Sequence, residues 1–288
     1  MKHKFILLLV CMNVLLYSCK KGDSPAPDPN SAKTIFNVKY GTDALQNMDV
    51  YLPSGRATGT TKVLVMIHGG SWIGGDKNDL NAFVDTMKRR APDYAIFNIN
   101  YRLSAAPSNV FPTQENDVKA AMDFIYSKSA EYIISDKYVL IGASAGAHLA
   151  MLQGYKYTSP VKPKAIVSFF GPADLKDMYD NPVGGSALLS AGLATSIGFT
   201  PATNPAIYTS SSPINFITAS SVPTILLHGG LDPLVKPSQS DAVRNKLQSF
   251  GIGNQYVFYP TGGHGDWDAA TYSDAFIKIQ AFLNTYVL

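Results

Sequence analysis

The chain has 288 residues, enough for one or two domains with a sizeable core, and 46% of them are hydrophobic, an ordinary globular balance. Its formal charge is only +3, and four of its lysines, Lys2, Lys4, Lys20 and Lys21, cluster about an N-terminal apolar run, so nothing points to nucleic acid. The two cysteines, Cys11 and Cys19, both lie near the N-terminus and leave the rest of the chain without a thiol pair for a disulfide or a thiolate metal site.

Residues 1–19 read as an export signal, with Lys2 and Lys4 ahead of "FILLLVCMNVLL", an apolar run too short to span a bilayer as a free helix. The following "LLYSC" resembles a bacterial lipoprotein box, although Tyr17 stands where a small residue is usual. The expectation is an exported bacterial lipoprotein, acylated at Cys19 and held to the membrane in the periplasm or outer membrane. An ordinary signal peptide with a chance cysteine is the alternative. Residues 20–33, "KKGDSPAPDPNSAK", carry Pro, Asp and Ser without apolar periodicity and are expected to be a solvated tether.

From residue 34 onward, strand-like and helix-like segments alternate. "TIFNVKYG" and "QNMDVYLP" predict an early strand pair, with Met48, Val50 and Leu52 alternating against polar neighbours. Six further short apolar runs follow: "KVLVMIHG", "YAIFNINY", "KYVLIGA", "PKAIVSFFG", "VPTILLHGG" and "NQYVFYP". Such runs are the signature of strands covered on both faces of a parallel sheet. Helices are predicted at 78–91, 113–131, 145–155, 237–250 and 271–286; in the second, Val118, Ala121, Met122 and Ile125 share one face. The alternation predicts an α/β fold with helices on both sides of the sheet. At about 172–221 the rhythm breaks into a stretch rich in Ser, Thr, Pro, Gly and Ala, a candidate cap or else a surface insertion.

The segment "KYVLIGASAGAHLA" poses the chemical question. A Gly-x-Ser-x-Gly pentapeptide alone is a weak signal, but here it joins an apolar strand to a helix, where a sharp turn would expose the Ser144 hydroxyl at the top of the sheet. A helix N-cap is the bland reading of Ser144. A serine nucleophile requires a base, and the base a carboxylate that fixes its tautomer. His264, in the glycine-rich "PTGGHGDW" after the last strand, is the candidate base. Asp232, in "LLHGGLDPLV" after the penultimate strand, is the candidate acid, with Asp174 as its rival. The resulting order of serine, acid and histidine is that of the α/β-hydrolases. "HGGSW" after the third strand supplies Gly70 and Ser71 which, with Ala145 beside the nucleophile, are candidate N–H donors for an oxyanion. Trp72 could wall a substrate, and His148 and His228 read as packed neighbours.

Together, "MDVYLP", "VMIHGGSWIGGDK", "NINYRL", "FPTQENDVKAAMDFI", "IGASAGAHLA", "LLHGGLDPLV" and "GGHG" resemble the α/β-hydrolase superfamily. The likeness is to carboxylesterases related to hormone-sensitive lipase and to the bacterial feruloyl or acetyl-xylan esterase-like group, and it covers residues 34–288. It implies a mostly parallel, twisted, eight-stranded sheet with helices on both faces, a small cap insertion, and ester hydrolysis through an acyl-enzyme with no metal or organic cofactor. Ser71 stands where the lipase-like branch has a third glycine, which places the chain nearer the "HGGxW" branch that includes arylformamidases. The substrate expected is a small-molecule or carbohydrate ester; small amides, or ligand binding without catalysis, stay open. The apolar lining that long lipid chains would need is not evident in "YDNPVGGSALLSAGLATSIGFT", which favours acetyl or feruloyl groups.

Overall fold

The computed structural model describes residue 28 and residues 30–288. The expected signal at residues 1–19, the candidate lipidation site Cys19 and most of the tether lie outside the described residues. Eight strands form one sheet: β1 (Lys33–Lys39), β2 (Asn47–Leu52), β3 (Lys62–Ile67), β4 (Tyr94–Ile99), β5 (Tyr138–Ala143), β6 (Ala165–Phe169), β7 (Thr224–Gly229) and β8 (Asn254–Tyr259). Their spatial order is β1-β2-β4-β3-β5-β6-β7-β8. β1 pairs antiparallel with β2 and β2 antiparallel with β4, while every pairing from β4 to β8 is parallel. The mostly parallel eight-stranded sheet expected from the apolar runs is therefore present.

Parallel strands need crossovers, and the helices that supply them cover both faces. Because side chains alternate along a strand, Val63, Val65 and Ile67 of β3 enter one core while Leu64 and Met66 enter the other. The first core is closed by α2 (Thr113–Ser127), α4 (Ala145–Lys156) and α8 (Ser238–Ser249), through residues such as Val118, Leu149 and Val243. The second is closed by α1 (Asn81–Arg90) and α9 (Ala269–Tyr286), through Val84, Met87, Phe276 and Ile279. A four-residue helix, α3 (Ser129–Tyr132), follows α2, so the single predicted helix over 113–131 is split at Lys128.

Between β6 and β7 the chain winds into α5 (Leu175–Asp180), α6 (Ala187–Ile197) and α7 (Pro205–Ser210). Each is capped by a polar side chain: Asp174 accepts from Asp177 N–H, Ser186 from Leu189 N–H and Asn204 from Ile207 N–H. Such caps set the starts of short helices within a stretch rich in Ser, Thr, Pro and Gly. These short helices stand above the C-terminal ends of the parallel strands, the edge at which ligands bind in open α/β sheets.

Candidate active site

The turn from β5 into α4 holds Ser144 at φ 53°, ψ −120°, a left-handed conformation that costs about 1–3 kcal/mol for a residue with a Cβ. Its neighbours explain the pentapeptide. A Cβ on Gly142 would lie 2.2 Å from the Gly146 carbonyl oxygen, and one on Gly146 would lie 2.0 Å from that of Ile67. Strand and helix can approach this closely only through glycine, and the turn is pinned by Ser144 N–H donating to the Phe169 carbonyl at 2.9 Å. The positive end of α4 points at the serine.

Three loops from distant parts of the chain meet there. Ser144 Oγ is 2.8 Å from Nε2 of His264, and His264 Nδ1 is 2.6 Å from Oδ2 of Asp232. With a carboxylate on one side and a hydroxyl on the other, the neutral imidazole carries its proton on Nδ1 and accepts from Ser144 through Nε2. The Phe170 ring, 4.5 Å away centroid to centroid, packs against the imidazole.

Asp232 is buried and fully engaged. Its Oδ1 accepts from Leu234 N–H at 2.8 Å and Val235 N–H at 2.9 Å, its Oδ2 accepts from His264, and His228 Nε2 stands 3.3 Å from the same Oδ2. Burial alone would raise its pKa, but the hydrogen bonds from His228 and His264 outweigh it, aided by attraction to His264 and by Val235 N–H. The carboxyl is held well below the ordinary range. The rival Asp174 is occupied in capping α5.

His228, read from the sequence as a packed neighbour, thus touches the acid directly. Its Nε2 faces two acceptors, Asp232 Oδ2 and the Val235 carbonyl at 2.9 Å, so that nitrogen carries the proton, while Nδ1 accepts from the Ser240 hydroxyl at 2.7 Å. The only hint in the sequence was the four-residue spacing from His228 to Asp232. His148 is packed in the core: it is fully buried, Nε2 lies 2.7 Å from the Ser211 carbonyl, and burial lowers its pKa to about 4.

The loop after β3 runs beside the nucleophile, where a Cβ on Gly69 would come within 3.3 Å of Ser144 Cβ. Gly70, Ser71 and Trp72 all have positive φ, and a Cβ on Gly70 would strike the Gly74 carbonyl at 2.2 Å. Tyr101 fixes the loop, its hydroxyl donating to the His68 and Gly69 carbonyls at 3.0 and 3.2 Å while its ring stacks on His68. Among the described residues, the N–H groups of Gly70, Ser71 and Ala145 have no protein acceptor, and all three residues line clefts that contain Ser144. Trp72 is buried against Phe111 and His148, with its indole N–H 3.3 Å from His148 Nδ1, and it lines the cavity beside Ser144.

Ser144 separates two spaces. On the Ala145 side lies a cavity of about 160 Å³ walled by Trp72, Met178, Leu188, Leu189, Gly192 and Leu193, among others. Its lining corrects the expectation that the insertion lacks an apolar wall. Residues 188, 189, 192, 193 and 196 recur at helical spacing, so winding gathers the leucines of α6 on one face, which a linear reading of Ser, Thr, Gly and Ala obscures. On the His264 side an open cleft of about 330 Å³ runs past Phe170, Gly265, Asp79, Phe83 and Tyr272. Among the described residues no group of His, Cys, Asp and Glu could hold a metal ion, and no helix is long and apolar enough to cross a membrane.

The family model described as BD-FAE matches residues 48–247. The esterase LipQ of Mycobacterium tuberculosis is 27% identical over 262 residues, covering 86% of this chain and 61% of its own length; the chain spans about three fifths of the length of such curated relatives. Among solved structures, a bifunctional GH43-CE protein of Bacteroides eggerthii superposes with a TM-score of 0.73 at 27% identity, over 86% of this chain and 38% of that one. A truncated carbohydrate esterase from gut microbiota superposes with a TM-score of 0.72 at 26% identity, over 89% and 99%.

Proposed function

The chain belongs to the BD-FAE family, and on that premise we propose that it is a serine carboxylesterase acting on acyl esters of carbohydrates. The observation that carries this reading is the unbroken hydrogen-bonded chain Ser144–His264–Asp232 at 2.8 and 2.6 Å. As the Ser144 oxygen bonds to the ester carbonyl carbon, its proton passes to His264 Nε2, and Asp232 stabilises the imidazolium. The carbonyl oxygen becomes an oxyanion that the free N–H groups of Gly70, Ser71 and Ala145 can receive. Collapse breaks the bond to the alcohol oxygen, which takes the proton from His264 and leaves the acyl group on Ser144. Water then adds to the acyl carbon with His264 again as base, releasing the acid.

His264 must reach the leaving oxygen, so the alcohol belongs in the cleft that His264 lines and the acyl group in the apolar cavity on the other side of Ser144. A cavity near 160 Å³ is close in size to a dry engineered cavity of about 150 Å³ that binds benzene. It accommodates a short or aromatic acyl group and is too small to enclose a long lipid chain. The likeness to the truncated carbohydrate esterase from gut microbiota supports a sugar on the alcohol side.

Labelling of Ser144 by a fluorophosphonate, together with hydrolysis rates on acetyl, feruloyl, long-chain and small aryl amide substrates, tests the reading. Absence of labelling and of hydrolysis would leave a ligand-binding protein, and preference for the amide would make it a formamidase-like enzyme. We also propose export as a lipoprotein acylated at Cys19, supported by the charged and apolar N-terminal pattern and by "LLYSC". A Cys19→Ala chain that still partitions with membranes would overturn this.

A further inference from the structure

The alcohol-side cleft does not end at the catalytic residues. It shares Asp79, Phe83 and Tyr272 with a larger groove of about 670 Å³ that continues between α1 and α9 and is lined farther on by Thr86, Arg89, Arg90, Ser273 and Phe276. We propose that this groove is a subsite for the glycan chain on the alcohol half of the substrate, and that Arg89 and Arg90 select a chain bearing a carboxylate, as in a uronic acid. This rests on the reading of the site as a carbohydrate esterase.

Four observations carry it. The groove adjoins the space into which the alcohol must leave, the two sharing Asp79, Phe83 and Tyr272 as common walls, so an extended substrate emerging past His264 is directed toward it. Its floor is aromatic: Phe83 packs edge-on to Tyr272 and Phe276, and Tyr272 is tied to the His264 loop by donating to the Gly265 carbonyl at 2.8 Å. Such an amphipathic floor suits the apolar faces of sugar rings, with Thr86 and Ser273 offering hydroxyl groups. Third, among the described residues neither arginine has a carboxylate within ion-pair distance. Arg89 makes only a 3.2 Å hydrogen bond to the Thr86 hydroxyl, and its guanidinium is exposed. Guanidinium groups without a carboxylate partner, lining the far end of the groove, offer a planar carboxylate the donors it lacks there.

The fourth observation is the direction of the charge. Asp79 lies at the catalytic end, where its carboxylate caps the turn before α1, and the arginines lie at the far end. At about 1.5 Å of rise per residue, Arg89 stands about 9 Å farther along α1 than Phe83. An anionic sugar is therefore repelled beside the ester and attracted farther along, which also orients the chain.

Calorimetric titration of the intact protein with deacylated oligosaccharides of one length, with and without a uronic acid residue, tests the proposal. Such ligands carry no ester, so the measurement does not depend on turnover. The acidic oligosaccharide should bind at least about fivefold more tightly at low salt, the advantage falling below about twofold in 0.5 M salt and in the double variant Arg89→Gln, Arg90→Gln. Thermal unfolding checks that the variant is folded. Equal binding of both oligosaccharides, binding of neither, or a preference that survives in the double variant overturns the proposal. Failure of the esterase reading would appear separately, as absent hydrolysis of small esters.

Discussion

His228 Nε2 lies 3.3 Å from Oδ2 of Asp232, the same oxygen that accepts the His264 Nδ1 proton. The acid is therefore flanked on both sides: one imidazole also reaches the Ser144 hydroxyl, and the other is locked between Ser240 and the Val235 carbonyl. The N–H of His228, bonded at 2.9 Å to the Val235 carbonyl, turns its positive end toward Oδ2 as well and so supports the Asp232 rotamer that the Leu234 and Val235 N–H groups hold through Oδ1.

Replacing His228 by Phe should accordingly lower kcat about 10-fold to 100-fold while KM changes little, because the loss is in the orientation of Asp232 rather than in substrate contact. His228→Gln, which can keep an N–H near Oδ2, should recover part of it. Steady-state kinetics on a small ester read both; equal losses of kcat in the two variants would mean His228 serves packing alone.

Ser144→Ala should remove fluorophosphonate labelling and reduce kcat by at least about 10⁴-fold. Strain at φ 53° adds a second expectation. Glycine adopts this conformation without penalty, so Ser144→Gly should be more stable than Ser144→Ala by about 1 kcal/mol in urea unfolding. Equal midpoints would argue that the turn relaxes once the hydroxyl is gone.

Gly192 faces the acyl cavity from α6, and a Cβ there would meet nothing within 4 Å. Gly192→Leu should thus fold, fill the cavity and lower the kcat/KM ratio of benzoyl to acetyl esters at least about tenfold. An unchanged ratio would mean the acyl group sits elsewhere.

Stability should fall with acid through His148. Burial chiefly lowers its pKa from 6.5 to about 4, with Lys156 adding to the fall and the hydrogen bond to Ser211 opposing it. Between these values the unfolded chain binds the proton and the folded one does not, so stability is complete above pH 6.5 and declines as pH falls toward 4, by about 3 kcal/mol in all. In His148→Gln this part of the pH dependence should vanish, as urea unfolding at pH 7 and pH 4.5 would reveal.

The parallel strands β3 to β7 were legible in the sequence because each is a short apolar run covered on both faces, whereas β1 and β8 stand at the sheet edges and are largely unburied. The Ser144 turn was legible for a local reason as well: glycines at 142 and 146 are demanded by carbonyls about 2 Å from where a Cβ would stand. Ser144, Asp232 and His264 could be singled out because each follows a recognisable strand, and strand ends collect at one edge of a parallel sheet.

What the sequence could not supply is whatever depends on which faces meet. The leucines of α6 became a cavity wall only when the helix was laid over Ser144, and His228 became a partner of Asp232 only when the β7 loop folded back on it. Arg89 lies about 175 residues before His264 in the chain, yet the packing of α1 beside α9 sets them in adjoining clefts that share Asp79, Phe83 and Tyr272. Strand and turn identity follow from local sterics and burial, which a linear pattern records; distances across the fold arise from the packing of elements remote in sequence, which it does not.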